Sequence, residues 1–196
     1  MRQSPGWLDR DRALTGAGVL VLSAVAALGL SAPAASAAQH EASSSSPPTV
    51  FVTNYNSSSV TAIDSATGTA GKTIKVGSEP DAVAITPNGK TAYVADFGSG
   101  TVTPVIVVTA KAGPPIKVGS QPDAIAITPN GALVYVADRG SNAVTAISVD
   151  TDSVRAVISV GSEPDALAVT PNGSTVYVAD FGSGTVTPVS VATGRA

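Results

Sequence analysis

Asp81, Asp123 and Asp165 follow one another at steps of 42 residues, and so do Asp96, Asp138 and Asp180, with Glu79, Gln121 and Glu163 keeping the same interval beside the first set. Clustered carboxylates suit a cationic ligand, a basic partner or a hard metal such as calcium. One base, Arg139, breaks the acidic series. The chain has no cysteine, and its single histidine, His40, lies in a polar tail, which removes thiolate chemistry, disulfides and a histidine base. No EF-hand spacing, Ser/His/Asp set or H-E-x-x-H pattern is present, so the residues assign no catalytic group, no metal and no cofactor. The same acids also admit a structural reading: Asp81, Asp123 and Asp165 would cap a turn, while Asp96, Asp138 and Asp180 would accept backbone hydrogen bonds. Repetition favours that reading, because a turn must recur in every repeat and a single ligand site need not.

The elements that position these residues are themselves repeated. Val76-Gly77-Ser78-Glu79-Pro80-Asp81 returns as Val118-Gly119-Ser120-Gln121-Pro122-Asp123 and as Val160-Gly161-Ser162-Glu163-Pro164-Asp165. Tyr93, Tyr135 and Tyr177 keep the period, with Phe51 one step upstream, as do three Pro-Asn-Gly turns beginning at Pro87, Pro129 and Pro171. A period of this size, rich in β-branched residues and without helical patterning, predicts an all-β array of four-stranded antiparallel units: a β-propeller or part of one. In the second unit the strands are expected over 82–86, 91–96, 101–109 and 114–118, labelled a to d from the channel outward. Strand a is almost wholly apolar, as befits a sheet packed on both faces. The first unit begins at strand b and the last stops at strand c, so open blade edges and apolar faces are expected to favour self-association. Blades also alternate in type: 93–105 is identical to 177–189, and Pro104 and Pro188 fall inside strand c, where proline marks a bulge or edge.

Phe51-Val52-Thr53-Asn54-Tyr55-Asn56-Ser57-Ser58-Ser59-Val60-Thr61-Ala62-Ile63-Asp64 resembles the signature of the YVTN family of β-propeller repeats, and Ala84-Ile85-Thr86-Pro87-Asn88-Gly89 with Tyr93-Val94-Ala95-Asp96 resembles its adjoining segment. Ala-Asp replaces Thr-Asn in three of the four copies. The resemblance implies a propeller, often of seven blades, in bacterial secreted or archaeal surface-layer proteins.

In up-and-down blades the d-to-a and b-to-c connections share one face. That face receives Glu79, Asp81, Asp96, Asp123, Asp138, Glu163, Asp165 and Asp180 against Arg139 alone, and is expected to be acidic. Tyr55, Phe97, Arg139 and Phe181 occupy one equivalent loop position there. Beyond residue 38 the chain holds 8 Lys and Arg against 12 Asp and Glu, which argues against nucleic acid as a partner. Arg2, Arg10 and Arg12, an apolar run over 13–30 and small residues to Ala38 have the order of a cleavable export signal over 1–38, cut after Ala37 or Ala38, with membrane attachment only through an uncleaved segment. A Ser/Pro spacer over 39–48 leads into the repeat domain at 49–196. The expectation is an exported or cell-surface, non-enzymatic binding or structural protein whose loops engage a protein or surface ligand. The alternative is a propeller hydrolase or lyase, lactonase-like, with its site at the channel mouth; fold alone does not separate the two.

Overall fold

The computed structural model describes residues 49–196 throughout and, ahead of them, the strand backbone at 18–19, 21–24 and 40–41. The expected export signal and spacer otherwise lie outside the described residues.

The strands come in the expected groups. Two short segments, β1 (Gly18–Val19) and β3 (His40–Glu41), pair with each other, and β2 (Val21–Ala24) joins the first blade. That blade continues with β4 (Thr49–Asn54), β5 (Ser59–Asp64) and β6 (Thr69–Lys75). The second holds β7 (Pro80–Ile85), β8 (Thr91–Asp96), β9 (Thr101–Ile106), β10 (Lys111–Ala112) and β11 (Ile116–Lys117). The third holds β12 (Pro122–Ile127), β13 (Leu133–Asp138), β14 (Ala143–Ser148) and β15 (Ser153–Ser159), and the fourth β16 (Pro164–Val169), β17 (Thr175–Asp180) and β18 (Thr185–Ser190). The four sheets respect the 42-residue step, and β7, β12 and β16 lie side by side along the inner edge. The chain is an all-β array of propeller blades.

Three details differ from expectation, each for a backbone reason. The first blade has a fourth strand, because β2 pairs with β4 in parallel where the other blades place an antiparallel strand a; an open strand edge accepts whatever extended segment supplies its missing hydrogen bonds. Strand a begins two residues earlier than expected, at Pro80, Pro122 and Pro164, since an edge position tolerates the absent N–H. Strand d of the second blade is split in two around Gly113, Pro114 and Pro115, and strand c stops at Ile106. The split lies opposite Pro104, which has no N–H to give to strand d, and only the Gly113 amide reaches the Pro104 carbonyl, at 2.7 Å. At the equivalent place in blades one and three the ladder also shifts register, between Thr61 and Ile63 and between Ala146 and Ile147. In the second blade proline thus occupies the site at which the first and third blades are bulged.

Neighbouring blades bury one another through two unlike faces. Phe51, Val60 and Ile74 of the first blade pack on Val83, Ala92, Val94 and Val105 of the second. Tyr93, Val102 and Ile116 then pack on Val134, Val136 and Ile147, and Tyr135, Val144 and Ile158 on Val176, Val178 and Val189. Removing this surface from water is the main stabilising contribution, about 25 cal/mol per Å² of apolar area. One polar bond crosses the second boundary: the Tyr93 hydroxyl donates to Asp152 Oδ1 at 2.6 Å. Tyr93→Phe removes this charge-assisted bond, and urea unfolding should register a loss of about 1–2 kcal/mol with an unchanged m-value.

On the underside the Thr-Pro-Asn-Gly turns close the a-b hairpins. In the second blade Asn88 Oδ1 accepts from the Thr86 hydroxyl at 2.8 Å and from the Lys90 amide at 3.0 Å, while Gly89 takes φ +68°. These turns nest between blades: a Cβ on Gly131 would stand 3.2 Å from Pro87 Cδ, and one on Gly173 would stand 3.3 Å from Pro129 Cδ.

Candidate functional site

The loop face opposite those turns is assembled as the strand order requires. The Phe97 amide donates to the Glu79 carbonyl at 2.9 Å, Arg139 to Gln121 at 3.0 Å and Phe181 to Glu163 at 3.0 Å, so each b-to-c loop is stitched to the d-to-a loop of its own blade. Two loop types alternate. Tyr55–Ser57 and Arg139–Ser141 form 3-10 turns ended by Ser58 and Asn142 in the left-handed region, whereas the Phe97 and Phe181 loops use Gly100 and Gly184 there.

The nine residues singled out from the sequence separate into three groups. Asp96, Asp138 and Asp180 are buried and so do not belong to an exposed acidic surface. Each accepts threonine hydroxyls on Oδ2: Thr101 at 3.0 Å and Thr103 at 2.6 Å for Asp96, Thr145 for Asp138, and Thr185 at 3.2 Å and Thr187 at 2.6 Å for Asp180. Oδ1 of all three has no hydrogen-bond partner. Burial pushes Asp96 and Asp138 up to about 6, with the threonine hydroxyls pulling the other way. Their role is to clamp strand b to strand c under the loop face. Gly119 is part of the clamp, because a Cβ there would fall 2.6 Å from Asp138 Cβ and 2.7 Å from its Cγ. Gly119→Ala should therefore destabilise the fold by about 1–3 kcal/mol, visible as a lowered thermal midpoint.

Asp81, Asp123 and Asp165 form the second group. Each is the extra residue of a β-bulge at the start of strand a, where the register shifts between Pro80 and Ala82, Pro122 and Ala124, and Pro164 and Ala166. They are half-buried at the inner edge, and a bulge of this kind re-aims a side chain out of the ladder. The bulge sets them at the inner edge of the array, on its loop face. Asp81 and Asp123 meet there: burial, then the hydrogen bond to Asp123 and its negative charge, push Asp81 up to about 7. The proton belongs to the pair.

Glu79, Glu163 and Arg139 make up the third group. The Arg139 guanidinium sits 3.0 Å from Glu163 Oε2 and 3.6 Å from Asp123 Oδ2, with its Cζ 5.7 Å from the centre of the Phe181 ring. A line of charge therefore runs Asp81, Asp123, Arg139, Glu163 across three blades. The Tyr55 hydroxyl donates to Glu79 Oε2 at 3.1 Å, repeating one blade pair earlier the contact that Arg139 makes with Glu163. A shallow pocket of about 450 Å³ opens beside this line, lined by Phe97, Gln121, Arg139, Gly140, Asn142 and Glu163. Gly140 and Asn142 are pocket residues that the sequence does not single out, and Gln121, the amide of the Glu79/Glu163 column, joins them there without having been among the expected site residues. Among the described residues no three His, Cys, Asp or Glu side chains group as a metal ion requires.

Fold and site together define a β-propeller array with a carboxyl pair and a tethered arginine on the inner part of its loop face. Residues 106–195 match the family model described as "Lactonase, 7-bladed beta-propeller". Among solved structures, the chain is similar to hydrazine synthase from Kuenenia stuttgartiensis, at 25% identity and a TM-score of 0.73, over 97% of this chain and 51% of that one. It shares its fold with a Bacteroides uniformis protein provisionally assigned as a 6-phosphogluconolactonase, at 19% identity and a TM-score of 0.63, over 74% of this chain and 48% of that one. The chain thus spans about half the length of these solved structures. No curated protein matches it in sequence.

Proposed function

We propose that the channel mouth is the hydrolytic site of a lactonase-type propeller to which this chain contributes four blades. The observation that carries the reading is that the lactonase family match runs through the segment bearing Asp123, Arg139, Glu163 and Asp165. The local chemistry fits ring opening of a cyclic ester. Asp123 takes a proton from a water molecule as its oxygen bonds to the lactone carbonyl carbon. Asp81, which retains its proton up to about pH 7, protonates the ring oxygen as the carbon–oxygen bond breaks. Arg139, held beside Asp123, faces the carbonyl oxygen where negative charge gathers. The products are the hydroxy acid and a pair whose proton now sits on Asp123, and its return to Asp81 across their hydrogen bond readies the pair for another cycle. The test is hydrolysis of δ-lactones, 6-phosphogluconolactone among them, measured against the spontaneous rate and without added metal. Turnover that disappears in Arg139→Ala supports the reading, and a wild-type protein no faster than buffer defeats it.

A second reading, a non-enzymatic binding platform of the cell envelope or exterior related to YVTN repeat proteins, is favoured by the recurrence of the same acids in successive blades. Saturable binding of a basic peptide with no lactone turnover would select it. Either reading includes export through residues 1–38, checked by sequencing the N-terminus of the protein recovered from its host. Cleavage there would also remove β2 and leave the inner edge of β4 unpaired.

A further inference from the structure

We propose that the outer rim of the array is a binding belt for a linear anionic polysaccharide, formed by the bases of the outermost strands. Strand d of the first three blades is β6, the split pair β10 and β11, and β15, and no strand pairs beyond them among the described residues. Together they carry Lys72, Lys75, Lys111, Lys117 and Arg155, five of the eight Lys and Arg beyond residue 38, and no Asp or Glu. All five are exposed, and the ion pairs of the described residues use none of them. Lys72 and Arg155 stand where the ladder between strands c and d shifts register, which re-aims a side chain out of the sheet. The acids sort elsewhere. Apart from those of the loop face, Asp64, Asp150 and Asp152 sit at c-to-d turns, where Asp64 Oδ1 accepts the Ala66 amide at 2.8 Å and Asp152 holds the Tyr93 hydroxyl.

Charge on an edge strand also deters edge-to-edge pairing, but acids serve that purpose as well as bases. A rim of one sign, on a chain whose charge beyond residue 38 is negative, points to a ligand of the opposite sign. Its shape narrows the choice. Strands a of neighbouring blades lie against one another while strands d spread apart, so the rim is convex. A flat bilayer meets such a rim at one blade, whereas a flexible polymer follows it from blade to blade. The outer strands hold no Phe, Tyr or Trp on which bases could stack, so the belt reads spaced negative charge and not nucleobases. A chain of uronic acids, with one carboxylate on each sugar, has that form. Further blades would lengthen the belt rather than cover it, because strand d lies outermost. The belt is also separate from the loop face, so an acidic glycan held there leaves the Asp81–Asp123 pair open to a small substrate.

Titration of the full chain with polygalacturonate tests this without reference to lactone hydrolysis, with uncharged dextran, oligothymidylate and phosphatidylglycerol vesicles as comparisons. The wild type should bind polygalacturonate saturably, and raising the salt from about 0.05 M to about 0.2 M should weaken binding at least about tenfold. Lys75→Glu combined with Lys117→Glu reverses two equivalent rim charges and should weaken it at least about tenfold at the lower salt, with the far-ultraviolet circular dichroism unchanged. Lys75→Gln with Lys117→Gln is the milder pair and should show a smaller loss in the same direction. The control carries the same change in net charge on the underside turns: Lys90→Glu, Ala132→Glu and Ser174→Glu, all at exposed positions, should bind within about twofold of the wild type. A wild type that does not bind polygalacturonate at the lower salt overturns the proposal. So do equal losses in the rim and underside variants, or tighter binding to dextran, oligothymidylate or the vesicles.

Discussion

Asp123→Asn is expected to lower kcat/KM for lactone hydrolysis by about 10²–10⁴-fold, the range general acid–base groups contribute. The substitution keeps size and shape at a half-buried bulge position, so folding should survive and the loss should fall on kcat. Asp165→Asn is the control, since Asp165 occupies the equivalent bulge one blade along without membership of the proton-sharing pair. The pH profile gives a second readout. Wild-type activity should decline above about pH 7 as Asp81 loses the proton it donates. In Asp123→Asn the neighbouring charge that helps to raise Asp81 is gone, so the residual alkaline limb should move to lower pH. An unchanged limb, or equal losses in the two variants, would remove Asp123 from the reaction.

Stability should fall as the pH rises from about 4 to about 7, the reverse of the usual acid-labile pattern. Asp96 and Asp138 are raised to about 6 in the folded state, chiefly by burial, and Asp81 is raised to about 7. Between the ordinary carboxyl value near 4 and these values the native protein holds protons that the unfolded chain has released, so its advantage shrinks as the pH climbs and the decline ends once the folded values are passed. Each of the two buried carboxyls contributes an effect of about 2 kcal/mol. Urea titrations at pH 4.5 and pH 7.5 should show the higher midpoint at the acid value. Asp138→Asn, which presents a neutral acceptor to Thr145, should flatten the curve by that one group's share. A midpoint that rises with pH would mean that these carboxyls are ionised at no cost inside the fold.

Much of the fold is legible in the sequence because its punctuation is chemical: Pro-Asn-Gly closes each a-b hairpin, and the aromatic-centred strand b recurs on a fixed count. Strand b of the second blade is found where expected, at Thr91–Asp96. The bulges at Asp81, Asp123 and Asp165 are not legible, since a bulge is a mismatch between two strands and neither strand alone displays it. For the same reason the sequence could not tell that Asp96, Asp138 and Asp180 turn inward onto threonines of the next strand. One signal was available and not taken. Tyr55 and Glu79, Phe97 and Gln121, and Arg139 and Glu163 are each 24 residues apart, and the carboxylate appears where the partner can donate a hydrogen bond whereas the amide faces phenylalanine. Reading those two columns together would have joined Arg139 to Glu163 before any coordinates.

The nested Pro-Gly contacts on the underside bear on how closely the sheets approach. Gly131 against Pro87 and Gly173 against Pro129 leave room for a hydrogen atom, and a methyl group there would make the proline ring yield by about a few tenths of an ångström. The seam between consecutive sheets is therefore tightest at a spot where one carbon more would be felt by the neighbouring turn, while the spacing elsewhere is held by larger side chains.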